Sequence, residues 1–331
     1  DHYDALPYES LPFAETHPQR MSVLARLFGI HAAPASACRV LELGSAAGGN
    51  LIPMAWYQPH SEFVGVDLEA AQVQDGQRII DELGLTNIRL LQGDILHLGE
   101  ALGQFDYIIA HGVYSWIPGA VREALLALCK NRLRPNGIAY ISYNTNPGWR
   151  MRGMLRDMLL FHARGIEEPL ARLNSARTFI DLLATTLPGQ KSLQAQYLLE
   201  EAVYLQNTHP SYVYHEFLEE NNTPVLFTEF AAQAERHGMR YLCESQLATM
   251  FASALGPTAE VFLDAYTDMA EHEQYLDFLL QRTFRQTLLC HTELEPDYDI
   301  DLGLFDQFAC YAQLMPPPRL DIKSNKAQNF S

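Results

Sequence analysis

One stretch, Arg39 to Asn50 (RVLELGSAAGGN), limits what this chain can fold into more than any other. Val40, Leu41 and Leu43 read as a buried parallel strand. Gly44, Gly48 and Gly49 follow it directly, before a helix beginning near Leu51. A strand, a glycine turn and a helix in that order open a doubly wound sheet, which takes its ligand at the C-terminal edge of the strands. Glycine at the turn removes side chains that would hold a ligand off the backbone. The helix start offers N–H groups to something electron-rich. Two more carboxylates stand at expected strand ends, Asp67 in FVGVDL and Asp94 in RLLQGDIL. The pattern predicts a nucleotide-like ligand.

The alternation continues along the chain. Strands are expected at 39–43, 62–67, 88–91, 105–110 and 137–142, and helices at 50–57, 70–83 and 120–132. Turn signals fall at Gly84, Gly103 and Arg134-Pro135-Asn136-Gly137. This is an α/β chain whose strands are buried on both faces. Ahead of it, Met21 to Ile30 is apolar at helical spacing. Residues 1–22 carry Tyr3, Tyr8 and Phe13 between prolines, too aromatic for a disordered leader. They form either an arm packed on the surface or a lid with Tyr8, Thr16 or His17 facing the ligand.

After Tyr143 the pattern turns helical, at 151–164 and through 166–215, an insertion suited to a lid or a dimer surface. Phe227 to His237 is expected as a helix with Thr228 as N-cap. Met239 to Cys243 reads as a strand, 250–255 and 259–280 as helices, and Phe284 to Cys290 as the closing strand. His215, Glu216 and Glu219 either bind a basic substrate or, the preferred reading, tie the insertion to the sheet. Arg282 and Arg285 are expected to pair with these acids.

Charge narrows the partners. With 40 Asp+Glu against 23 Lys+Arg the net charge is −17, so nucleic acid is not an expected partner. Basic proteins or small molecules fit better. The five cysteines (Cys38, Cys129, Cys243, Cys290, Cys310) have no metal-ligand spacing, and no HExxH-like pair exists among the 12 histidines. No metal is expected. Scattered cysteines and the lack of an 18-residue apolar run predict a cytoplasmic protein without membrane insertion.

The glycine turn is not a dinucleotide GxGxxG, since Ala46 holds the place of the second glycine, and no GK[ST] makes it a P-loop. Glu42, Gly44, Gly48, then Asp67, Asp94 with Ile95, and FDYIIA at 105–110, in that order, resemble the class I S-adenosylmethionine-dependent methyltransferases. A narrower resemblance spans nearly the whole chain. YDxxPYxSxxFxxTHP (Tyr3 to Pro18), GGNLIPMA (Gly48 to Ala55), HGVYSWIP (His111 to Pro118) and YNTNPGWR (Tyr143 to Arg150) are similar to one bacterial group. So are YxxHEFLEExNxP (Tyr212 to Pro224) and FRQTLLCH (Phe284 to His291). That group joins a methyltransferase domain to a regulatory domain and includes rickettsial-type protein-lysine methyltransferases that modify outer-membrane proteins.

The resemblance implies a mostly parallel, seven-stranded, Rossmann-like sheet with a helical insertion and a C-terminal helical extension. It implies an arm and helix over 1–30, an S-adenosylmethionine-binding core at 31–150 and the insertion at 151–220. The rest of the core and a regulatory region follow at 221–300, and a linker at 301–331 toward a further C-terminal part. The chain opens at Asp1 rather than methionine and carries Pro316-Pro317-Pro318, which fits a trimmed chain with a domain exit.

By the same resemblance Asp67 holds the ribose hydroxyls, with Leu68 beside it, and Asp94 meets the adenine amino group against Ile95. Gly44, Ser45 and Gly48 form the turn, Ser45 standing where the group often has cysteine. Asn50 is expected at the methionine moiety and Glu42 as a brace behind the turn. His111, Tyr114 and Trp116 follow the fourth strand, where methyltransferases face the transferred methyl. His111 is expected to touch cofactor or substrate, Tyr114 and Trp116 to frame an amine by cation–π contact or to pack the rim. Asn144 or Asn146 would orient the substrate, though Asn-Pro-Gly is also an ordinary turn. The expected reaction is methyl transfer to protein lysine, with product S-adenosylhomocysteine. The alternatives are a small-molecule N- or O-methyltransferase and a cofactor-binding regulatory protein without turnover.

Overall fold

A computed structural model describes residues 10–99 and 102–309. Tyr3, Tyr8, Cys310 and the proline run at 316–318 lie outside the described residues. Residues up to Tyr298 belong to one compact unit. A second unit begins at Asp299, and its described part holds a 3₁₀ turn, Leu302–Gln307, capped by the Asp301 side chain.

Helix α1 (Pro18–Leu27) starts at a proline, with the His17 side chain accepting from the Gln19 N–H. Then come β1 (Arg39–Leu43), α2 (Leu51–Tyr57), β2 (Glu62–Asp67), α3 (Ala70–Leu83), β3 (Ile88–Gln92) and β4 (Phe105–Ala110). Next are α4 (Gly119–Arg132) and β5 (Leu133–Asn144). All of β4 and most of β1 and β2 are buried, because helices cover both sheet faces. Gly84 closes α3 at φ +64°, a conformation that suits glycine.

The insertion is α5 (Trp149–His162), α6 (Pro169–Thr186), α7 (Leu193–Gln206) and α8 (Pro210–Phe217). Its inner faces make a core of their own, with Leu155, Leu159, Leu173, Ile180, Leu198 and Phe217 at its centre. The chain returns through α9 (Phe227–Arg236), β6 (Met239–Glu244), α10 (Pro257–Leu263), α11 (Met269–Leu280) and β7 (Phe284–His291). The sheet order is β3-β2-β1-β4-β5-β7-β6, with β1 to β5 parallel to their neighbours and β7 antiparallel to both β5 and β6.

Several expectations change. Arg134 to Gly137 is not a turn before a strand but an irregularity inside β5, where the register against β4 shifts. The helix expected over 259–280 breaks in two, because the Asp268 side chain accepts from the Glu271 N–H and caps a new start. Thr228 lies within α9 and gives its N–H to Gln274 Oε1. The first turn is closed by Glu229 Oε2, which accepts from the Leu226 N–H.

Arg285 does not pair with the acids of α8. It is fully buried among Glu244 (2.6 Å), Glu273 (3.0 Å) and Asp277 (2.8 Å), with its guanidinium over the Phe227 ring, and Arg282 also meets Asp277 (3.1 Å). The network ties β7, β6 and α11 together. Burial pushes the Glu273 carboxyl up to about 7 despite Arg285.

Candidate active site

The C-terminal ends of β1, β2, β4 and β5 meet on one edge, and most of the expected residues stand there. Gly44 (φ +71°) and Gly48 (φ +75°) take the left-handed backbone that glycine tolerates, while Ala46 adopts φ +45° without that freedom. The Ala46 N–H donates to Asp67 Oδ2 (2.7 Å), and Asp67 Oδ1 accepts from the Glu69 N–H (3.0 Å). The carboxylate thus holds the turn open from the end of β2. A Cβ on Gly44 would come within 2.6 Å of Val113, so the turn also packs against the loop after β4.

Behind the turn, Glu42 is buried. Its Oε1 accepts from Asn50 Nδ2 (2.7 Å), and its Oε2 is buried without a partner among the described residues. Burial pushes its carboxyl up to about 8, with the Asn50 hydrogen bond opposing the shift and Asp67 adding to it. Ser45 is buried, and among the described residues its Oγ also lacks a partner.

The chain before α1 lies across this turn. The Gly49 N–H donates to Ser10 Oγ (2.7 Å), and the Phe13 N–H to Asn50 Oδ1 (2.9 Å). Asn50 Nδ2 also reaches Thr16 Oγ1 (2.9 Å), and Thr16 is fully buried. A Cβ on Gly49 would collide with the Ser10 backbone. His17 faces Gln58 instead of the turn (2.9 Å).

Phe13 lies against the His111 ring, with centroids 3.9 Å apart. His111 Nδ1 is 2.9 Å from the Tyr140 hydroxyl. Desolvation lowers His111 to about 4, against a weak opposing pull from Glu15, so the ring is neutral at pH 7.

Tyr114 corrects an expectation. Its ring is fully buried between Phe230 and Tyr143, under the Arg122 guanidinium, and its hydroxyl donates to Gln233 on α9. It packs the sheet to α9 and cannot face an amine at the edge. Trp116 stays half-buried in the same 3₁₀ turn, Tyr114–Trp116. Asp94 turns partly to its own chain, accepting from the Leu96 N–H (3.0 Å), while its side chain keeps 40% exposure. Ile95 is half-buried against the sheet core, and Leu68 is 64% exposed.

Asn144 is buried at the end of β5. Its Nδ2 donates to Asn222 Oδ1 (3.2 Å), its side chain is also within hydrogen-bonding reach of Glu216, and its N–H donates to Ser115 Oγ (2.8 Å). Burial pushes the Glu216 carboxyl up to about 7, against the pull of Arg152. Asn146 is spent on the turn, donating to the Pro224 carbonyl (3.0 Å). Ser10, Phe13, Ser115 and Tyr140 were not expected at the edge. The YxSxxFxxTHP part of the arm motif carries Ser10 and Phe13, and HGVYSWIP carries Ser115, while Tyr140 had no such signal.

Residues 34–169 match a methyltransferase domain, and residues 209–291 match a predicted methyltransferase regulatory domain. An uncharacterized protein of Rickettsia prowazekii (strain Madrid E) is 39% identical over 326 residues, 98% of this chain and 59% of its own length. A second one from the same organism is 35% identical over 240 residues, 72% of this chain and 96% of its own length. The structure of PKMT2 from Rickettsia typhi superposes with a TM-score of 0.82 at 35% identity, over 89% of this chain and 56% of that one. This chain belongs to the class I methyltransferase family that carries a regulatory domain.

PKMT2 is also known in complex with AdoHcy, and that form superposes with a TM-score of 0.81. The methyltransferase described here spans 59% of the first relative and 56% of PKMT2. In this methyltransferase the regulatory stretch is no appendage. It supplies β6 and β7 to the sheet, and through Glu216 and Asn222 it touches the end of β5. Among the described residues no helix is long and apolar enough to cross a membrane, and no cluster of three His, Cys, Asp or Glu could hold a metal.

Proposed function

We propose that this chain binds S-adenosylmethionine at the glycine turn and transfers its methyl group to lysine side chains of a protein. The observation that carries the proposal is the buried, unpartnered Oε2 of Glu42, held by Asn50 directly behind the turn. A buried carboxylate oxygen without a donor is costly, and the ammonium of a methionine moiety is the kind of group that relieves it. When bound, the cofactor supplies a methyl on a cationic sulfur.

This chain's residues do the rest by placement. Asp67 has lone pairs left for ribose hydroxyls beyond the N–H groups it holds. Asp94, half-exposed, and Ile95 border the adenine position. Gly44 and Gly48 let the ligand lie on the backbone. The arm residues Ser10, Phe13 and Thr16 close over the turn and exclude water. Neutral His111 adds no positive charge beside a sulfonium, which a protonated imidazole would repel. An incoming lysine must arrive unprotonated, and a desolvated edge lowers its pKa. The net charge of −17 favours a basic partner over a phosphate backbone. PKMT2 adds weight to a lysine acceptor over a small molecule. Among the described residues four cysteines are buried and unbridged, which fits the cytoplasm.

The test is transfer of tritiated methyl from S-adenosylmethionine to fractionated bacterial lysate. Label recovered as methyl-lysine after hydrolysis of a protein band is the expected outcome. Label confined to the small-molecule pool would overturn the acceptor, and absence of cofactor binding would overturn the site.

A further inference from the structure

A cavity of about 650 Å³ opens on the β5 side of the sheet edge, away from the glycine turn, between the first turns of α5 and the segment at 222–224. It adjoins the candidate site through Asn222, whose Oδ1 accepts from Asn144 at the end of β5. Its lining is built for one kind of guest. Met154 and Met158 give it an adaptable apolar wall. Arg150 is exposed and makes no ion pair among the described residues. Arg156 gives its Nη2 to the backbone carbonyls of Glu219 and Glu220, while its Nε is buried without a partner.

Asp157 lines the cavity and, with Glu216 and Glu219, also acts on Arg156, whereas Arg150 keeps its charge without an ion pair among the described residues. A carboxylate on a short apolar stem answers each of these features. It would accept from the stranded Arg156 Nε–H, pair with Arg150 and lay its methylenes on the methionines.

We infer that this cavity is an acceptor subsite, taking the acidic side chain of a residue that neighbours the methylated lysine. The inference rests on the protein-lysine reading above and adds a specificity to it. In a chain of net charge −17, an exposed guanidinium without an ion pair beside the acceptor edge gives such an acidic side chain a specific partner.

The test uses two variants and a set of labelled peptides. Gly153 faces the cavity from α5, and a Cβ there meets nothing within 4 Å. Gly153→Leu therefore fills the space while favouring the helix, and Arg150→Gln removes the exposed charge. The peptides carry one central lysine, with glutamate or glutamine placed in turn at each flanking position.

The wild-type chain should prefer glutamate over glutamine at one position by about tenfold in KM. Both variants should lose that preference, with S-adenosylmethionine affinity by calorimetry unchanged. Equal treatment of glutamate and glutamine peptides, or a preference that survives in both variants, overturns the subsite. Fluorescence anisotropy of the same peptides separates the two proposals. Glutamate-dependent binding without any methyl-lysine keeps the subsite and overturns lysine transfer.

Discussion

Glu42 titrates in the opposite sense to a salt-bridged acid. Burial raises its carboxyl from the ordinary 4.5 to about 8 in the folded chain. Between those values the folded state holds a proton that the unfolded state has lost, so its contribution to stability declines as pH climbs through that window. It is complete below the window and gone above it. An ammonium brought against Oε2 reverses the preference and drives the proton off. Cofactor binding at pH 7 should therefore release close to one proton, read as the slope of calorimetric enthalpy against buffer ionisation enthalpy. In Glu42→Gln the slope should fall to near zero; equal slopes would mean the ammonium goes elsewhere.

His111 adds the reverse dependence, since its lowered value costs stability as pH falls from about 6.5 toward about 4. The sequence made Glu42, Gly44 and Asp67 legible because each is fixed by a local strand end. Tyr114 was not legible, because its direction depends on Phe230, Tyr143 and Gln233, far away in the chain.

At the level of elements, the arm before α1 and the turn after β1 act as one device. Ser10, Phe13 and Thr16 bond to Gly49 and Asn50, so the arm is registered on the turn by backbone and side-chain groups together. Gly49 is the pinch point. Gly49→Ala should push Ser10 off the turn while leaving the buried sheet untouched. The expected result is faster proteolytic cleavage within 10–17 and weaker S-adenosylmethionine binding, with little change in melting temperature. Unchanged proteolysis would show that the arm tolerates the methyl.

The helices up to α9 and the first four strands were readable from periodicity, since each pattern is complete within one window. By contrast, 250–255 forms 3₁₀ turns and 259–280 splits at Asp268. Nor was the bulge inside β5 readable. Arg134-Pro135-Asn136-Gly137 has turn chemistry in any context, and only the pairing of its flanks, Leu133 and Ile138, with β4 draws it into a strand.

Across the described molecule, apolar cores meet a charged cluster, a small one around Leu263 and Leu276 lying beside the two large ones. The sheet core and the insertion core are separate clusters, and Arg285 anchors a polar one between β7, β6 and α11. Three carboxylates depend on that guanidinium. Arg285→Met should cost about 3–5 kcal/mol, since removing one partner of a buried network strands the others. The midpoint of urea unfolding reads it directly. A loss below about 1 kcal/mol, the scale of an exposed ion pair, would mean that the carboxylates simply protonate. The sequence pointed Arg282 and Arg285 at the wrong acids because composition reports which charges exist, while sheet order decides which ones meet.

That sheet order also sets a timetable for the nascent chain. β5 lies beside β7, and Asn144 pairs with Phe284, about 140 residues later. At a synthesis rate of about 5–20 residues per second, the open flank of β5 waits roughly 7–28 seconds after leaving the ribosome before its neighbour exists. An unpaired strand flank is a template for the wrong partner. The insertion helices emerge during that interval with an apolar cluster of their own to bury, so the growing chain is occupied with local packing while its most exposed flank stands open. Biogenesis of this chain is thus most exposed to chaperone capture and misassembly while those residues are being made.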